Sequence, residues 1–242
     1  MSAADGRRAA LPPSPPVGAI WLSHGLGTET PAYGGGQGLV RQSISSIQRG
    51  DTANSVSISL PNHLGTHVDV PRHFFDHGRD LLSYPAEEWV FDAPCLVEVE
   101  LGEDHLIRPE HVADGLVPDS DLLLLRSGHQ QTRGTDRFWQ EGPGLSAELG
   151  VWLRSEHPTV RAVGMDMISV TTRLDRAAGR EAHRAFLNPD ATGAPILLVE
   201  DMDLAKCPDG LGTVIVAPLR LEEGDGAPVT VVAFPRTLTE SD

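Results

Sequence analysis

The chain has 242 residues, 40% of them hydrophobic, which is enough to bury a sizeable core within one domain. Its 19 Lys and Arg residues against 34 Asp and Glu residues give a net charge of -15, which argues against nucleic acid or anionic lipid as a partner. The two cysteines, Cys95 and Cys207, are too few for a disulfide framework, and no apolar run approaches the roughly 18 residues of a membrane span. We therefore expect a cytoplasmic protein that does not act at a membrane.

The first 16 residues, MSAADGRRAALPPSPP, are rich in alanine and proline and offer little that a core can bury. Arg7 and Arg8 are followed by prolines rather than by the apolar stretch of a secretory signal. We predict a flexible N-terminal extension over residues 1–16 and one domain over residues 17–242.

Short apolar or alternating runs bounded by turn residues recur along this domain and predict strands. In chain order they are GAIWLS (18–23), NSVSISL (54–60), PCLVEVEL (94–101), DLLLLRS (121–127), VRAVGMD (160–166), PILLVE (195–200), GTVIVAPL (212–219) and VTVVAF (229–234). Helical periodicity predicts helices over residues 146–157, with Ser146 as a candidate cap, and over residues 177–187. Continuous runs such as LLLL are typical of strands covered on both faces, so the pattern predicts a layered α/β domain.

Residues 62–80, NHLGTHVDVPRHFFDHGRD, hold four of the ten histidines. Glycine and proline within and beside this stretch disfavour a helix, and a bend at Gly65 followed by an extended run places His67 and Asp69 on the same side. The bend also returns His63 toward them, and we expect this site to lie on a loop rather than in the core. Two imidazoles and a carboxylate suit Zn²⁺, Mn²⁺ or Fe²⁺ with positions left open for substrate. The spacing alone leaves a packed polar cluster as the alternative.

The stretch HLGTHVDVPRHF resembles the HxGTHxDxPxHF signature of the cyclase superfamily, which includes bacterial kynurenine formamidases and isatin hydrolases. Every fixed position of the signature is filled. The resemblance implies a single-domain swivelling β/β/α architecture, in which helices flank a layered mixed sheet. It also implies a small-molecule substrate and a homo-oligomer, either a dimer or a tetramer.

The resemblance further implies a metal centre with one or two ions of Zn²⁺ or Mn²⁺. In the signature the first two histidines and the aspartate bind metal, which implies His63, His67 and Asp69 here. The segments GREAHRAF and PILLVED resemble downstream segments that supply a histidine and a glutamate ligand, which fall on His183 and Glu200. The loop between them, LNPDATGAP, is longer than in the formamidases. If both residues reach the site, Asp69 and Glu200 bridge two ions; if one swings away, a single ion remains.

The last histidine of the signature is a proton donor and acceptor in the family, which implies His73 as the general acid and base. The segment PAYGGG resembles the substrate-side segment of the formamidases and places Tyr33 near the substrate, while Ser169 is a candidate hydrogen-bond donor or an ordinary turn serine. These residues favour a metal-dependent hydrolase of an aryl formamide or a cyclic amide. The alternatives are a non-hydrolytic cyclase or dehydratase, a protein with a structural metal and a non-haem iron oxygenase. Candidates for holding a substrate carboxylate are Arg133, Arg173 and Arg176.

Overall fold

The computed structural model describes residues 18–102, 104–208 and 210–236 of the chain. The extension predicted over residues 1–16 lies outside these described residues. Within them, each predicted strand and both predicted helices are present.

The strands are β1 Ile20–Trp21, β2 Val40–Ser45, β3 Ser55–Ser59, β4 His67–Asp69, β5 Val90–Phe91, β6 Pro94–Glu98, β7 Leu106–Ile107, β8 Leu122–Arg126, β9 Gly144–Leu145, β10 Ala162–Met165, β11 Leu197–Glu200, β12 Leu211–Pro218 and β13 Gly226–Pro235. The α-helices are α1 Arg137–Gln140, α2 Ala147–Glu156 and α3 Arg176–Leu187. Short 3-10 helices lie at Tyr33–Gly35, Ile47–Arg49, Pro71–His73, Leu81–Ser83, Ala86–Trp89, Pro109–His111 and His129–Thr132.

One large mixed sheet contains most of these strands, in the order β5, β12, β13, β4, β11, β10, β8 and β6, with β1 added beside β13. The strands β6, β8, β10 and β11 are parallel to one another. The short strand β4 runs antiparallel to both of its neighbours, β11 and β13. Its side chains therefore meet those of two other strands near the middle of the sheet, and Glu200 of β11 lies opposite His67.

Both faces of the parallel strands are buried, as their continuous apolar runs predict. Along β8, Leu122 and Leu124 belong to one hydrophobic cluster, whereas Leu123 and Leu125 belong to a second. Helices α2 and α3 cover the second face, where Phe186 is fully buried. The predicted layered mixed sheet with flanking helices is thus confirmed.

Capping side chains fix where α2 and α3 begin. The Ser146 hydroxyl accepts a hydrogen bond from the Leu149 N–H at 3.2 Å, as predicted, and the Asp175 carboxylate accepts from two N–H groups at the start of α3. The second cap sets the rotation of α3, whose buried side carries His183. In the part of the chain that the structure describes, none of the helices has the length and apolar character needed to cross a bilayer.

Strands β2 and β3 form a separate two-stranded hairpin. Val40, Ile44 and Ile58 in these strands are each more than half exposed. The sequence predicts β3 but not β2, because neither face of β2 is buried and its pattern is mostly polar. An isolated hairpin is only marginally stable in water, so its apolar side chains are candidates for contact with another surface.

Candidate metal centre and active site

Strand β4 presents His67 and Asp69 on the same face, as the period of two predicts. The His67 Nε2 lies 3.5 Å from Asp69 Oδ1, and the two side chains are 5% and 1% exposed. The expectation that the site lies on a loop outside the core is wrong for these residues, because they occupy a buried strand inside the large sheet. Substitutions at either position therefore act on the sheet as well as on the site.

Gly65 forms the predicted bend that returns His63 to the strand. Its φ of +68° lies in the left-handed region that favours glycine, and a side chain there would lie 2.6 Å from Leu26 Cδ2. The bend brings His63 Nδ1 to 2.8 Å from Asp69 Oδ1. On the opposite side, a side chain at Gly226 would overlap the His63 ring. Gly65 therefore forms the bend, and Gly226 leaves the space in which His63 lies.

Glu200 and His183 complete a buried cluster with His67 and Asp69. Glu200 ends β11, and its Oε2 lies 3.2 Å from His67 Nε2. His183 reaches in from α3, with Nε2 at 3.6 Å from Asp69 Oδ2 and 3.6 Å from Glu200 Oε1. Thus both downstream residues implied by the resemblance reach the site, and the loop between them displaces neither.

Arg154, which is buried on α2, holds that loop in place. Its guanidinium donates hydrogen bonds of 2.6 to 3.1 Å to the carbonyl oxygens of Ala185, Asn188, Ala191, Thr192 and Gly193. The loop is therefore fixed against α2 instead of lying between His183 and Glu200.

Backbone carbonyls determine which ring nitrogens of two histidines face the cluster. His67 Nδ1 donates to the Gly65 carbonyl at 2.8 Å, and His183 Nδ1 donates to the Gly179 carbonyl at 2.8 Å. In the neutral ring, donation from Nδ1 leaves a lone pair on Nε2, and both Nε2 atoms face the two carboxylates. Metal-binding imidazoles are commonly held in this way by a hydrogen bond from the second nitrogen.

Two buried carboxylates in one site require positive charge. Burial favours the neutral acid at both positions. Hydrogen bonds with histidines nevertheless hold the pKa of Asp69 well below its ordinary value. They also lower the pKa of Glu200 to about 2, although the nearby charge of Asp69 acts in the opposite direction. Burial also disfavours charged imidazoles, yet hydrogen bonds to carboxylates raise the pKa of His63 and of His183 to about 10. Protonated imidazoles balance the carboxylates, and a divalent cation held by the same groups balances them equally. The donor set therefore fits Zn²⁺ or Mn²⁺.

The possible ligand atoms form two groups that share Asp69. One group is His67, Asp69 and Glu200, the other is His63, Asp69 and His73, and within each group the atoms lie no more than 4.8 Å apart. Overlapping groups of this kind accord with either one ion or two. His73 lies close enough to the cluster to serve as a ligand or as a proton carrier, with Nε2 at 4.0 Å from Asp69 Oδ2.

Asp225 is a site residue that the sequence analysis missed. Its Oδ2 accepts hydrogen bonds from His63 Nε2 at 3.0 Å and His73 Nδ1 at 2.9 Å, and its Oδ1 accepts one from Asn62 Nδ2 at 2.6 Å. The hydrogen bonds from His63 and His73 hold the pKa of Asp225 well below its ordinary value. The only local signal is a Gly-Asp-Gly turn before β13, because the two histidines lie 162 and 152 residues away in the chain.

A cavity of about 260 Å³ opens beside the cluster. Its remaining wall is largely apolar or hydroxyl-bearing and includes Pro31, Tyr33, Phe74, Ile168, Ser169 and Thr171. Tyr33 thus lies at the cavity, and its buried hydroxyl has no hydrogen-bond partner among the described residues. The Ser169 hydroxyl donates to Glu200 Oε1 at 3.2 Å, so it orients a possible ligand; its contact with substrate stays a prediction.

The three candidate arginines do not line this cavity. Arg133 forms a bidentate ion pair with Asp201, with both N–O distances at 2.8 Å. The guanidinium of Arg173 stacks on Trp139 at 4.7 Å from the ring centre, and Arg176 is exposed at the start of α3. The described lining of the cavity therefore contains no arginine or lysine to hold a substrate carboxylate.

Residues 20–172 match the sequence model of the Cyclase family, which carries the description "Putative cyclase". The chain belongs to this family. Cyclase-like protein 2 of Arabidopsis thaliana is 28% identical over 224 residues, which span 87% of this chain and 77% of that protein. A kynurenine formamidase of Delftia acidovorans is 24% identical over 218 residues, which span 88% of this chain and 96% of that protein. The solved structure of isatin hydrolase A of Labrenzia aggregata has a TM-score of 0.75 at 24% identity and covers 89% of this chain and 92% of its own.

This cyclase-family chain has the fold that the signature implies, since the isatin hydrolase structure overlies nearly the whole domain. The signature residues and the two downstream residues also converge on one cavity, whose lining includes His63, His67, Asp69, His73, His183 and Glu200. Their individual roles, and the identity and number of the ions, stay predictions.

Proposed function

We propose that the protein is a metal-dependent hydrolase that cleaves the amide bond of an aryl formamide or a cyclic amide. The observation that carries the proposal is a buried set of imidazoles and carboxylates opening onto a cavity, with His73 and its partner Asp225 beside it. Relatives named kynurenine formamidase and isatin hydrolase support this class of reaction.

The metal would be held by His67, Asp69, His183 and Glu200, with His63 completing the set around Asp69. Zn²⁺ or Mn²⁺, as one ion or two, suits this mixture of nitrogen and oxygen donors. Such an ion supplies a Lewis acid that polarises a substrate carbonyl and acidifies a water molecule. The chain supplies the remainder of the chemistry through its own side chains.

His73 is suited to moving the proton. Its Nδ1 donates to Asp225 at 2.9 Å, which leaves a lone pair on Nε2 facing the cluster. That Nε2 can take a proton during attack and return it to the leaving nitrogen, while the Asp225 carboxylate stabilises the imidazolium that forms between these steps. The largely apolar wall and the absence of an arginine or lysine from the described lining favour a neutral, planar substrate.

The experiment that tests this proposal is turnover of formanilide and isatin by protein loaded with Zn²⁺ or Mn²⁺. We expect turnover that a chelator abolishes and added metal restores. Replacement of His73 by alanine should lower kcat by roughly 10²- to 10⁴-fold, as expected for a lost general acid and base. Chelator-insensitive turnover, or a variant with wild-type kcat, would contradict the proposal.

The alternative is a cyclase or dehydratase reaction that uses the same metal. The cyclase-like names of plant relatives support this alternative. Turnover in heavy-oxygen water distinguishes the two. A hydrolase incorporates one solvent oxygen into the carboxylate of the product, whereas a ring-closing or dehydrating enzyme incorporates none.

The protein is also proposed to form a homodimer or homotetramer through the hairpin of β2 and β3. Residues 40–59 contain two arginines and one aspartate, so the hairpin is slightly positive in a chain of net charge -15. A second, acidic copy is therefore a favourable partner for its exposed Ile44 and Ile58. Light scattering should give a dimer or tetramer for the wild type but a smaller species for Ile44→Glu. The control is Val117→Glu, which alters an exposed apolar residue outside the hairpin and should leave the assembly unchanged. A monomeric wild type would contradict the proposed assembly.

The cytoplasmic location likewise stays a proposal. It rests on the low cysteine content, since Cys95 and Cys207 are both buried and no disulfide joins them. Fractionation of cells that produce the protein tests it directly, and we expect the protein with the cytoplasmic markers.

A further inference from the structure

Tyr33, the first residue of the Tyr33–Gly35 turn, lines the cavity. The Tyr33 hydroxyl is buried there and has no hydrogen-bond partner within the described residues. Buried hydroxyl groups in native proteins are nearly always paired, so this hydroxyl is available to a polar atom of whatever fills the cavity. Whether the Tyr33 hydroxyl can bind such an atom depends on how rigid the Tyr33–Gly35 turn is.

Gly34 and Gly35 have φ values of +70° and +66°, a backbone shape that favours glycine. Two side chains that do not line the cavity lie beside the turn. A side chain at Gly35 would lie 3.7 Å from Trp139 Cζ2, and one at Gly34 would lie 3.9 Å from an Arg173 guanidinium nitrogen. These two side chains therefore flank the turn, and each leaves room for only about one carbon atom between itself and the glycine.

Trp139 and Arg173 in turn support each other. The guanidinium lies 4.7 Å above the indole ring, and the indole N–H donates to Asp136 at 3.3 Å. Arg173 follows Thr171, which lines the cavity, by two residues. The stacked pair thus joins α1, the segment after β10 and the Tyr33–Gly35 turn.

We propose that Trp139 and Arg173 are positioning residues that hold the Tyr33–Gly35 turn so that the Tyr33 hydroxyl binds a polar group of a neutral substrate. This inference rests on the proposed function, because it concerns the substrate of the same cavity. It assigns Arg173 a role in supporting the wall instead of binding a substrate carboxylate.

Hydrogen–deuterium exchange tests the supporting role independently of activity. In Trp139→Ala, amides of residues 33–36 should exchange faster, while those of β4 keep the wild-type rate. Trp139→Phe should restore slow exchange because a ring remains, whereas Arg173→Lys should restore it only partly because the planar stack is lost. Trp152→Ala, which removes a half-buried tryptophan of α2 that does not line the cavity, is the control. Unchanged exchange over residues 33–36 in Trp139→Ala overturns the inference.

Steady-state kinetics with formanilide and isatin tests the role of the hydroxyl. Tyr33→Phe should reduce kcat/KM by roughly three- to tenfold, the effect of one lost hydrogen bond. Trp139→Ala should cause a similar loss in the wild-type background but little further loss in Tyr33→Phe, because both act through the same hydroxyl. Losses that multiply in the double variant overturn the link to Tyr33. If the wild type turns over neither compound, the proposed function fails, and the exchange experiment still decides whether the stacked pair holds the turn.

Discussion

The Asp225 carboxylate accepts hydrogen bonds from His63 and His73, which have different roles in the proposed function. His63 faces Asp69 with its other nitrogen, whereas His73 directs its free nitrogen toward the cluster. The two rings lie 4.1 Å apart between their centres. One oxygen of Asp225 therefore orients both His63, the proposed metal ligand, and His73, the proposed proton carrier.

Replacement of Asp225 by asparagine should lower kcat by about 10- to 100-fold, the usual effect of losing a group that orients metal ligands. The amide keeps the shape but removes the charge that stabilises the imidazolium of His73. The matched control is Asp190→Asn, because Asp190 also pairs with a histidine, His77, at 2.9 Å but on the exposed surface. Steady-state kinetics and elemental analysis measure the effect. Equal kcat values in both variants would contradict the role given to Asp225.

At the scale of elements, helix α3 and the loop after it determine whether His183 reaches the centre. Arg154 of α2 pairs with carbonyl oxygens of this loop instead of with a carboxylate. Burial lowers the pKa of Arg154, and the carbonyl oxygens satisfy the donors of its guanidinium.

Replacement of Arg154 by methionine should lower the free energy of unfolding by about 2–4 kcal/mol, because several buried carbonyl groups lose their donor. It should also weaken metal binding through the displacement of His183. Arg180→Met, on the exposed side of α3, is the control and should change neither quantity. Urea unfolding and metal titration measure both effects. A variant with unchanged stability and unchanged metal affinity would show that the loop keeps its conformation without Arg154.

Elements with a strong local pattern were predictable from the sequence. The continuous LLLL run of β8 predicted a strand buried on two faces, and Gly65 predicted the bend before β4. Strand β2 was missed because its pairing partner, not burial, stabilises it. Asp225 was missed because only the fold brings it to His63 and His73. The placement of β4 inside the sheet was missed for the same reason, because its three residues do not indicate which strands pair with it.

For the whole molecule, the charge of the buried centre links stability to pH. The pKa values of His63 and His183 are raised to about 10, so these groups bind protons more tightly in the folded chain than in the unfolded chain. Their contribution to stability is complete below an ordinary histidine pKa of about 6.5 and is lost as the pH rises toward 10. The lowered pKa values of Glu200 and Asp225 act in the opposite sense, and their contribution is lost as the pH falls below about 4.

The metal-free protein should therefore have its highest Tm between about pH 5 and 6.5 and a lower Tm at about pH 9. Saturation with Zn²⁺ should remove most of the alkaline decrease, because the ion replaces the protons as the positive charge of the centre. Differential scanning fluorimetry across this range, with and without the ion, measures both. A metal-free Tm that rises from pH 6.5 to 9 would contradict the charge balance described for the centre.

We propose that the buried cluster holds a divalent ion around Asp69, which both groups of possible ligands share. Calorimetric titration of metal-free Asp69→Asn with Zn²⁺ or Mn²⁺ tests it most directly, with circular dichroism to verify folding and Asp190→Asn as the control. The control should bind the same number of ions per chain as the wild type, and folded Asp69→Asn should bind none. Binding by Asp69→Asn with the stoichiometry and affinity of the wild type would contradict it.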